Sequence, residues 1–249
     1  MTAAQLNLQP LPATMAFHWI AKGWSEMRAT GFRGVVYGVI FVLMGYAIQT
    51  VYQNVWQMTM GLTAGFFLMG PFICCGIYDL SRQKERGFTP NISASTLSWM
   101  RNWKSIAFFA AMLTFFMIVW ARVSVVLFAL FGAHNYPDLK DMITKIVSFE
   151  NIEFLLVWSG VGFVFASLVF AISVVSVPML LDRGTDTMEA VFTSAKLLWA
   201  NPLAMLVWAI TIVVIMGLSL FVFLPALALT APLVGHATWC LYKDLVRSN

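Results

Sequence analysis

Long apolar segments, separated by short polar ones, constrain this fold more than any other feature of the sequence. A helix needs roughly 20 mainly apolar residues to cross the hydrocarbon of a bilayer. The last apolar segment, Leu203–Leu241, is too long for one such helix and contains Pro225 and Pro232. We divide it near Phe221–Pro225, because proline cannot donate the backbone hydrogen bond of an uninterrupted helix. The sequence therefore predicts six membrane-spanning helices, over residues 34–50, 57–80, 106–131, 154–181, 203–221 and 226–242.

The composition indicates that lipid surrounds most of this chain. Hydrophobic residues make up 60% of it and charged residues 10%, whereas soluble domains carry about 25% charged residues. The net charge of +4 is too small to indicate a nucleic-acid partner. We therefore predict an all-α fold, a polytopic membrane bundle that forms one integral membrane domain over residues 1–249 and contacts the lipid bilayer.

Lysine and arginine are distributed unevenly between the two sides that six spans define. Cytoplasmic loops hold most of the basic residues of a membrane protein. With the N-terminus inside, only Lys140 and Lys145 lie outside, and Arg122 lies within a span. The other twelve of the 15 basic residues are then cytoplasmic: Lys22, Arg28, Arg33, Arg82, Lys84, Arg86, Arg101, Lys104, Arg183, Lys196, Lys243 and Arg247. This bias predicts that both termini are cytoplasmic.

Apolar stripes at helical spacing precede three of the predicted spans. They are Phe17, Ile20, Trp24 and Met27 before the first span, Leu97, Met100 and Trp103 before the third, and Val191, Ala195, Leu198 and Trp199 before the fifth. Each stripe predicts an amphipathic helix on the cytoplasmic interface, with Trp at headgroup depth. The architecture is then a threefold repeat of one surface helix and two spans; the alternative is three unrelated hairpins.

The three predicted repeats also end alike. In each, a proline lies inside the second span and an acid follows near the cytoplasmic exit: Pro71 with Asp79, Pro178 with Asp182, and Pro232 with Asp244. The spacing differs between the pairs, so this sign of a repeat is weaker than the order of the helices.

The outer loop from Ala133 to Glu153 is long enough to hold structure of its own. Its apolar residues Leu139, Met142, Ile143, Ile146 and Val147 are spaced as on one helix face, and Pro137 suits a helix start. We expect a short amphipathic helix there, either lying on the outer leaflet or capping the bundle.

Glycines recur on one face of each of the first two spans. Gly34, Gly38 and Gly45 share a face of the first, and Gly61 and Gly65 lie in a similar register in the second. Such faces let membrane helices approach closely. We expect these two spans to pack against each other, because the connection between them is short; an oligomer interface is the alternative.

Arg122 is the single most informative residue, because it lies in the outer part of the third span. A charged side chain inside a bilayer is costly and marks a site by default. Glu150 and Glu153, at the start of the fourth span, are its nearest candidate partners. One interpretation is structural, with the arginine reaching outer phosphates or carbonyl groups. The other is functional, with the arginine contacting a lipid headgroup or a partner subunit.

The sequence lacks the motifs of the common enzyme and transporter classes. It has no G-x-S-x-G, H-E-x-x-H, Walker or G-x-G-x-x-G motif, and no pair of acids lies inside the spans to relay protons. His236 and Cys240 are spaced to share a helix face, and Cys74 and Cys75 could add sulfur, but two ligands do not make a metal site. We therefore expect no catalytic residues, no metal and no cofactor.

One motif gives a family resemblance. Residues 70–82 read GPFICCGIYDLSR, followed by Lys84–Glu85–Arg86–Gly87, and this resembles a signature of a bacterial family of predicted integral membrane proteins of unknown function. Gly23–Trp24 and Trp120–Ala121–Arg122 resemble that family as well. The resemblance implies a bacterial inner membrane and, because some members are labelled putative cytochrome c oxidase subunits, a respiratory accessory role.

The motif also has a physical interpretation of its own. Its interface residues are Pro71, Tyr78, Asp79, Arg82, Lys84 and Arg86. Pro71 lets the second span bend, Tyr78 anchors it at the interface, and Asp79 can accept hydrogen bonds from Arg82, Arg101 or Lys104. The three basic residues of the motif would face anionic headgroups.

These observations favour a non-catalytic accessory or assembly subunit of a larger membrane complex. Other membrane subunits, among them a cytochrome oxidase, are the expected partners. The alternative is a transporter of small molecules or lipids, or a lipid-binding membrane protein.

Overall fold

The computed structural model describes residues 5–6, 11–54, 59–131 and 152–247. Its helices are α1 Met15–Ala29, α2 Val35–Asn54, α3 Thr59–Glu85, α4 Ile92–Thr96, α5 Trp103–Phe131, α6 Ile152–Ser173, α7 Ser176–Arg183, α8 Thr187–Ala200, α9 Pro202–Phe221 and α10 Leu227–Leu245. Short 3₁₀ helices, Ser98–Asn102 and Leu224–Ala226, precede α5 and α10. Within these ranges the chain is therefore helical, apart from the connecting turns and one two-residue ladder.

That ladder joins the two ends of the chain. Strand β1, Gln5–Leu6, pairs antiparallel with strand β2, Val246–Arg247. Adjacent strands lie about 5 Å apart, so both ends of the chain lie at the same end of the helical bundle.

Four helical segments in the described ranges are long and apolar enough to cross a membrane. They are Ile92–Leu127, Ile152–Arg183, Pro202–Phe221 and Leu224–Leu245. A shorter apolar helix, Val35–Val51, corresponds to the first predicted span, and α3 covers the second. The all-α class and the membrane character are confirmed, while the six-span count stays a prediction.

The fourth predicted span is broken near its end. Helix α6 ends at Ser173, and α7 begins at Ser176 after a turn at Val174 and Val175. Pro178 explains the break, because it has no N–H group to donate to the carbonyl group of Val174 four residues earlier. Pro71 and Pro232, by contrast, lie inside continuous helices.

The buried core is concentrated at the end of the bundle that carries Asp79, Asp182 and Asp244, which we call the polar end. There the rings of Trp19 and Trp208 pack edge to face with their centroids 5.8 Å apart, and both side chains are fully buried. Toward the opposite, far end, the apolar helices expose many of their large side chains. The polar end therefore holds the helices together, and the far halves present apolar surface to the bilayer.

Helix α1 forms as predicted, and the face that it buries inside the protein shares only Met27 with the predicted stripe. Ala16, Trp19, Gly23 and Met27 are buried, and Gly23 packs against Ala237 of α10 so closely that a Cβ would lie 2.7 Å from the Cβ of Ala237. Phe17, from the predicted stripe, stays exposed. The reason is that a glycine–alanine contact brings two helix backbones together, which a large side chain prevents.

The glycine face of α2 also has a different neighbour from the one expected. Gly34 contacts Pro232 and His236, and a Cβ at Gly38 would overlap the carbonyl oxygen of Ala228. Both contacts are with α10 rather than α3. The short connection makes α2 and α3 neighbours, but it does not decide which face of α2 meets which helix.

Two sequence predictions fall beyond what the structure describes. The predicted amphipathic helix of the outer loop lies within residues 132–151, which are outside the described residues. Glu150, a predicted partner of Arg122, belongs to the same range. Gly61 and Gly65 belong to α3, but their surroundings are also outside the described part of the structure.

Candidate functional site

A buried ion pair lies at the centre of the polar end. Nε of Arg82 donates to Asp79 Oδ1 at 2.9 Å, and the Asp79 side chain has no solvent exposure. Gln83 donates to the other carboxylate oxygen at 2.6 Å, and Arg101 lies 3.9 Å from Oδ1. Arg82 is itself buried, so it pairs inside the protein and does not face lipid headgroups as the motif suggested. Tyr78 is also buried and stacks on Trp239 instead of standing at the interface.

Asp182 forms a second charged cluster, at the end of α7. It accepts a hydrogen bond from the Tyr242 hydroxyl at 3.0 Å, and Lys243 lies 3.4 Å from the same oxygen. Arg86 lies 3.6 Å from its other oxygen. The cluster joins the turn after α3, the end of α7, and α10, which come from all three predicted repeats.

Three further ion pairs form a closed ring between α1, α3 and α10. Lys22 of α1 lies 3.2 Å from Asp244 of α10. Lys84 of α3 lies 2.7 Å from Glu26 of α1. Lys243 of α10 lies 3.2 Å from Glu85 of α3. Each helix thus gives a lysine to one neighbour and a carboxylate to the other, and we call these six residues the ion-pair ring.

The ion-pair ring surrounds a cleft of about 330 Å³, which we call the polar cleft. Ser81, Trp239 and Cys240 complete its lining. The Nζ atom of Lys243 lies 5.6 Å from the centroid of the Trp239 ring, within cation–π distance. The cleft therefore offers three ammonium groups, three carboxylates and one aromatic face.

Beside the polar cleft, Ser81 and His236 form a buried hydrogen bond. The serine oxygen lies 2.7 Å from Nδ1 of His236, and both residues are almost fully buried. Within the described structure, Nε2 of His236 has no hydrogen-bond partner, and it faces the backbone of Gly34. The same part of the chain brings no third His, Cys, Asp or Glu to His236 and Cys240.

Arg122 lies far from the polar end, on an exposed face of α5. The large apolar residues of this face are Phe115, Ile118, Val125 and Val126, all exposed; with Arg122 we call them the Arg122 face. Among the side chains that the structure describes, no carboxylate forms an ion pair with Arg122. Glu153, one of its predicted partners, is exposed at the start of α6.

The opposite face of α5 packs on α6 around aromatic side chains. Trp120 lies 5.5 Å from Trp158 between ring centroids, and Trp158 donates to the hydroxyl of Ser124 at 3.2 Å. Next to this cluster is an apolar cleft of about 380 Å³ between the two helices. It is lined mainly by large apolar side chains, with Gly162 opposite Trp120.

Comparison with protein families decides the classification of this chain. The family described as "Predicted integral membrane protein (DUF2189)" matches residues 58–182, which is half of the sequence.

The chain belongs to the DUF2189 family.

This membership confirms the resemblance to a membrane family of unknown function. No curated protein and no solved structure matches the chain.

Some of the site residues described above lie inside the range matched by the DUF2189 family, and others lie outside it. Asp79, Arg82, Arg122 and Asp182 lie inside the matched residues, as does the apolar cleft. Lys22, Glu26, Lys243 and Asp244 lie outside them, so the ion-pair ring is completed by the two ends of the chain.

Sequence reasoning did not find the ion-pair ring. The proline–acid pairs pointed to Asp244, and Lys22 and Glu26 stand four residues apart on one helix. Neither signal specifies that α1 packs against α10, because that contact joins opposite ends of the chain.

Proposed function

We propose that this DUF2189 protein is a non-catalytic accessory or assembly subunit of a larger membrane complex. The observation that carries the proposal is the Arg122 face, where one arginine stands among exposed apolar side chains. On insertion scales an arginine costs about 2.5–3.5 kcal/mol at the bilayer centre, and less toward an interface, which its long side chain can reach. A carboxylate on a helix of a partner subunit would offset this cost, and the apolar residues around it supply the packing surface.

The depth of Arg122 limits where the partner's acid lies. Arg122 follows Trp103, the first residue of α5, by nineteen positions, which corresponds to about 28 Å along a helix. Trp103 is exposed at the polar end, at the depth where Trp usually meets headgroups. The partner's acid then lies near the opposite interface, within reach of the far leaflet.

The proposal includes six membrane helices arranged as three hairpins. The pairing of β1 with β2 supports an even number of crossings, because it brings both ends of the chain together. Helices α2 and α3 supply the first hairpin, α5 with α6 and α7 the second, and α9 with α10 the third. By the distribution of lysine and arginine, the polar end and both termini are cytoplasmic.

Three similar contacts support the threefold repeat. Ser98, before the second hairpin, donates to the carbonyl oxygen of Cys75 in the first hairpin at 3.3 Å. Ser194, before the third hairpin, donates to the carbonyl oxygen of Ala171 in the second at 2.7 Å. Helix α1, before the first hairpin, packs on α10 of the third. Each surface helix thus contacts the second arm of another hairpin, in cyclic order.

The partner complex that we propose is respiratory, in a bacterial inner membrane. Support comes from the labels of putative cytochrome c oxidase subunits that some members of the resembled family carry. A cytochrome oxidase is therefore the first partner to look for.

Copurification tests the subunit proposal. The tagged protein is purified in mild detergent as wild type, as R122L, as R122K, and as K104L, which removes an exposed charge from the polar end of the same helix. We expect a stoichiometric membrane complex with wild type, R122K and K104L, and its loss with R122L. Wild-type protein that purifies alone, or R122L that keeps the complex, contradicts the proposal.

A lipid-binding protein is the second candidate, and the apolar cleft between α5 and α6 favours it. Its volume of about 380 Å³ is within the range of small-molecule pockets. A Cβ at Gly162 would lie 3.0 Å from the Trp120 ring, so G162L fills the cleft. Loss of lipid retained by the purified protein in G162L, with G160L as the control, supports this function.

A further inference from the structure

We propose that the polar cleft binds a zwitterionic group that carries a phosphate and a primary ammonium, as phosphoethanolamine does. This site lies at the polar end, away from the Arg122 face and the apolar cleft, and it requires no partner subunit. Its residues come from α1, α3 and α10.

The charge balance of the polar cleft selects a zwitterion. The ion-pair ring holds three lysines and three carboxylates, and its formal charge is zero. A simple anion or a simple cation would leave one of these groups without its partner. In a zwitterionic ligand, the positive group can pair with a carboxylate of the ring and the negative group can pair with a lysine. Every charged group in the cleft then keeps a partner of opposite charge.

The arrangement of the lysines suits a phosphate in particular. Lys22, Lys84 and Lys243 come from three different helices around one cleft. Phosphate presents several acceptor oxygens in different directions, and lysine is a common phosphate ligand that acts as a point charge. Three ammonium groups that converge from three sides can therefore each take one oxygen.

The opposite end of the ligand has its own partners. The Trp239 ring already holds the ammonium group of Lys243 at 5.6 Å. Once phosphate draws that lysine away, the ring and the carboxylate of Glu85 can hold a ligand ammonium in its place. Lys243 also lies 3.4 Å from Asp182, so it keeps a carboxylate when it leaves Glu85.

Exchanging partners in the ion-pair ring costs little free energy. In each pair one side chain is 37–45% exposed and its partner is 24–28% exposed, and ion pairs that solvent reaches contribute little to stability. The cleft volume of about 330 Å³ also suits a small headgroup. A ligand with matching charges can therefore enter without unfolding the polar end.

Native mass spectrometry of the full-length protein in mild detergent tests the site. Dioleoylphosphatidylethanolamine is compared with dioleoylphosphatidylglycerol, which has the same chains and phosphate but no ammonium. We expect about tenfold better retention of the first, since a hydrogen bond to a charged group is lost with the second. K22Q/K84Q should abolish this preference, whereas K104Q/K196Q, which neutralises two exposed lysines outside the cleft, should keep it.

Soluble competitors distinguish the two sources of the headgroup. If soluble phosphoethanolamine displaces the bound lipid, the site takes the free zwitterion. If phosphoethanolamine does not displace the lipid and the protein still prefers phosphatidylethanolamine, the site takes the lipid headgroup. Equal retention of the two lipids by wild type overturns the proposal. Displacement by inorganic phosphate that is as efficient as displacement by phosphoethanolamine also overturns it.

E85Q removes the most exposed carboxylate of the ion-pair ring, so it should weaken the lipid preference. It is the variant to use if K22Q/K84Q does not fold. R122L should leave the preference unchanged, which separates this site from the subunit proposal.

Discussion

Nη1 of Arg82 lies 3.1 Å from the main-chain oxygen of Leu181, and this hydrogen bond joins α3 to the end of α7. The same guanidinium group binds Asp79 through Nε at 2.9 Å. One buried cation therefore satisfies a buried carboxylate and a carbonyl group near a helix C-terminus, where positive charge is favoured. The motif at residues 70–82 thus has a structural role where α3 meets the end of α7.

Removing only one partner of this buried pair should destabilise the protein strongly. R82Q leaves the buried carboxylate of Asp79 with a neutral donor, Gln83, and with Arg101 at 3.9 Å, and breaking a buried pair typically costs about 3–5 kcal/mol. Unfolding in detergent measures the change. The double variant D79N/R82Q should lose less than the sum of the single losses, because no unpaired charge remains. R86Q is the control, because the Arg86 side chain is 52% exposed and Asp182 keeps Lys243 and Tyr242 as partners without it. This variant should lose no more than about 1 kcal/mol, and an equal loss in R82Q and R86Q would refute this account.

A side chain added at Gly38 should disrupt the packing of α2 on α10. A Cβ there meets the backbone of Ala228, which cannot move aside as a side chain can. G38A should therefore lower the unfolding free energy by about 1–3 kcal/mol. Gly217 of α9 has no atom within 4 Å of an added Cβ, so G217A should cause no loss. Equal melting temperatures for the two variants would show that α2 does not pack here as described.

Lys84 and Lys140 should be labelled from opposite sides of the membrane. The test uses single cysteines, K84C and K140C, in a background with Cys74, Cys75 and Cys240 replaced by alanine. An impermeant maleimide should label K140C in intact cells and K84C only after the membrane is opened. Labelling of both positions from one side would contradict the proposed topology.

Single neutralisations in the ion-pair ring should have small effects on stability. Lys84 and Glu26 are partly exposed at a distance of 2.7 Å, and such pairs contribute about 0–1 kcal/mol. K84Q should therefore lower the unfolding free energy by at most about 1 kcal/mol, and added salt should reduce the difference from wild type. A loss as large as that of R82Q would mean that the ion-pair ring is a structural clamp, without exchangeable partners.

Some features of this fold can be predicted from the sequence because they depend on local composition. The apolar run from Ile106 and the one from Phe154 each lie within a helix of membrane length, since bilayer thickness fixes the length of such segments. Asp79 and Arg82 stand three residues apart on one helix, so their pairing could also be expected.

Other features depend on contacts between distant parts of the chain. That Tyr78 stacks on Trp239 cannot be read from the motif, which equally suits an interfacial tyrosine. The face of α2 that carries Gly38 was assigned to the wrong neighbour because glycine spacing shows that a close approach exists but not which helix makes it. The candidate site was missed for the same reason, since Lys22 and Asp244 come from opposite ends of the sequence.

The hydrogen bond from the Trp19 indole to Asp244, at 3.0 Å, joins residues 225 positions apart. During synthesis, the buried face of α1 therefore stays uncovered until α10 has been made. In that interval it is open to other proteins, and contacts of such long sequence separation form slowly. A variant without α10 should then enter the membrane but leave the face of α1 that carries Trp19 uncovered, which makes it a substrate for membrane quality-control proteases.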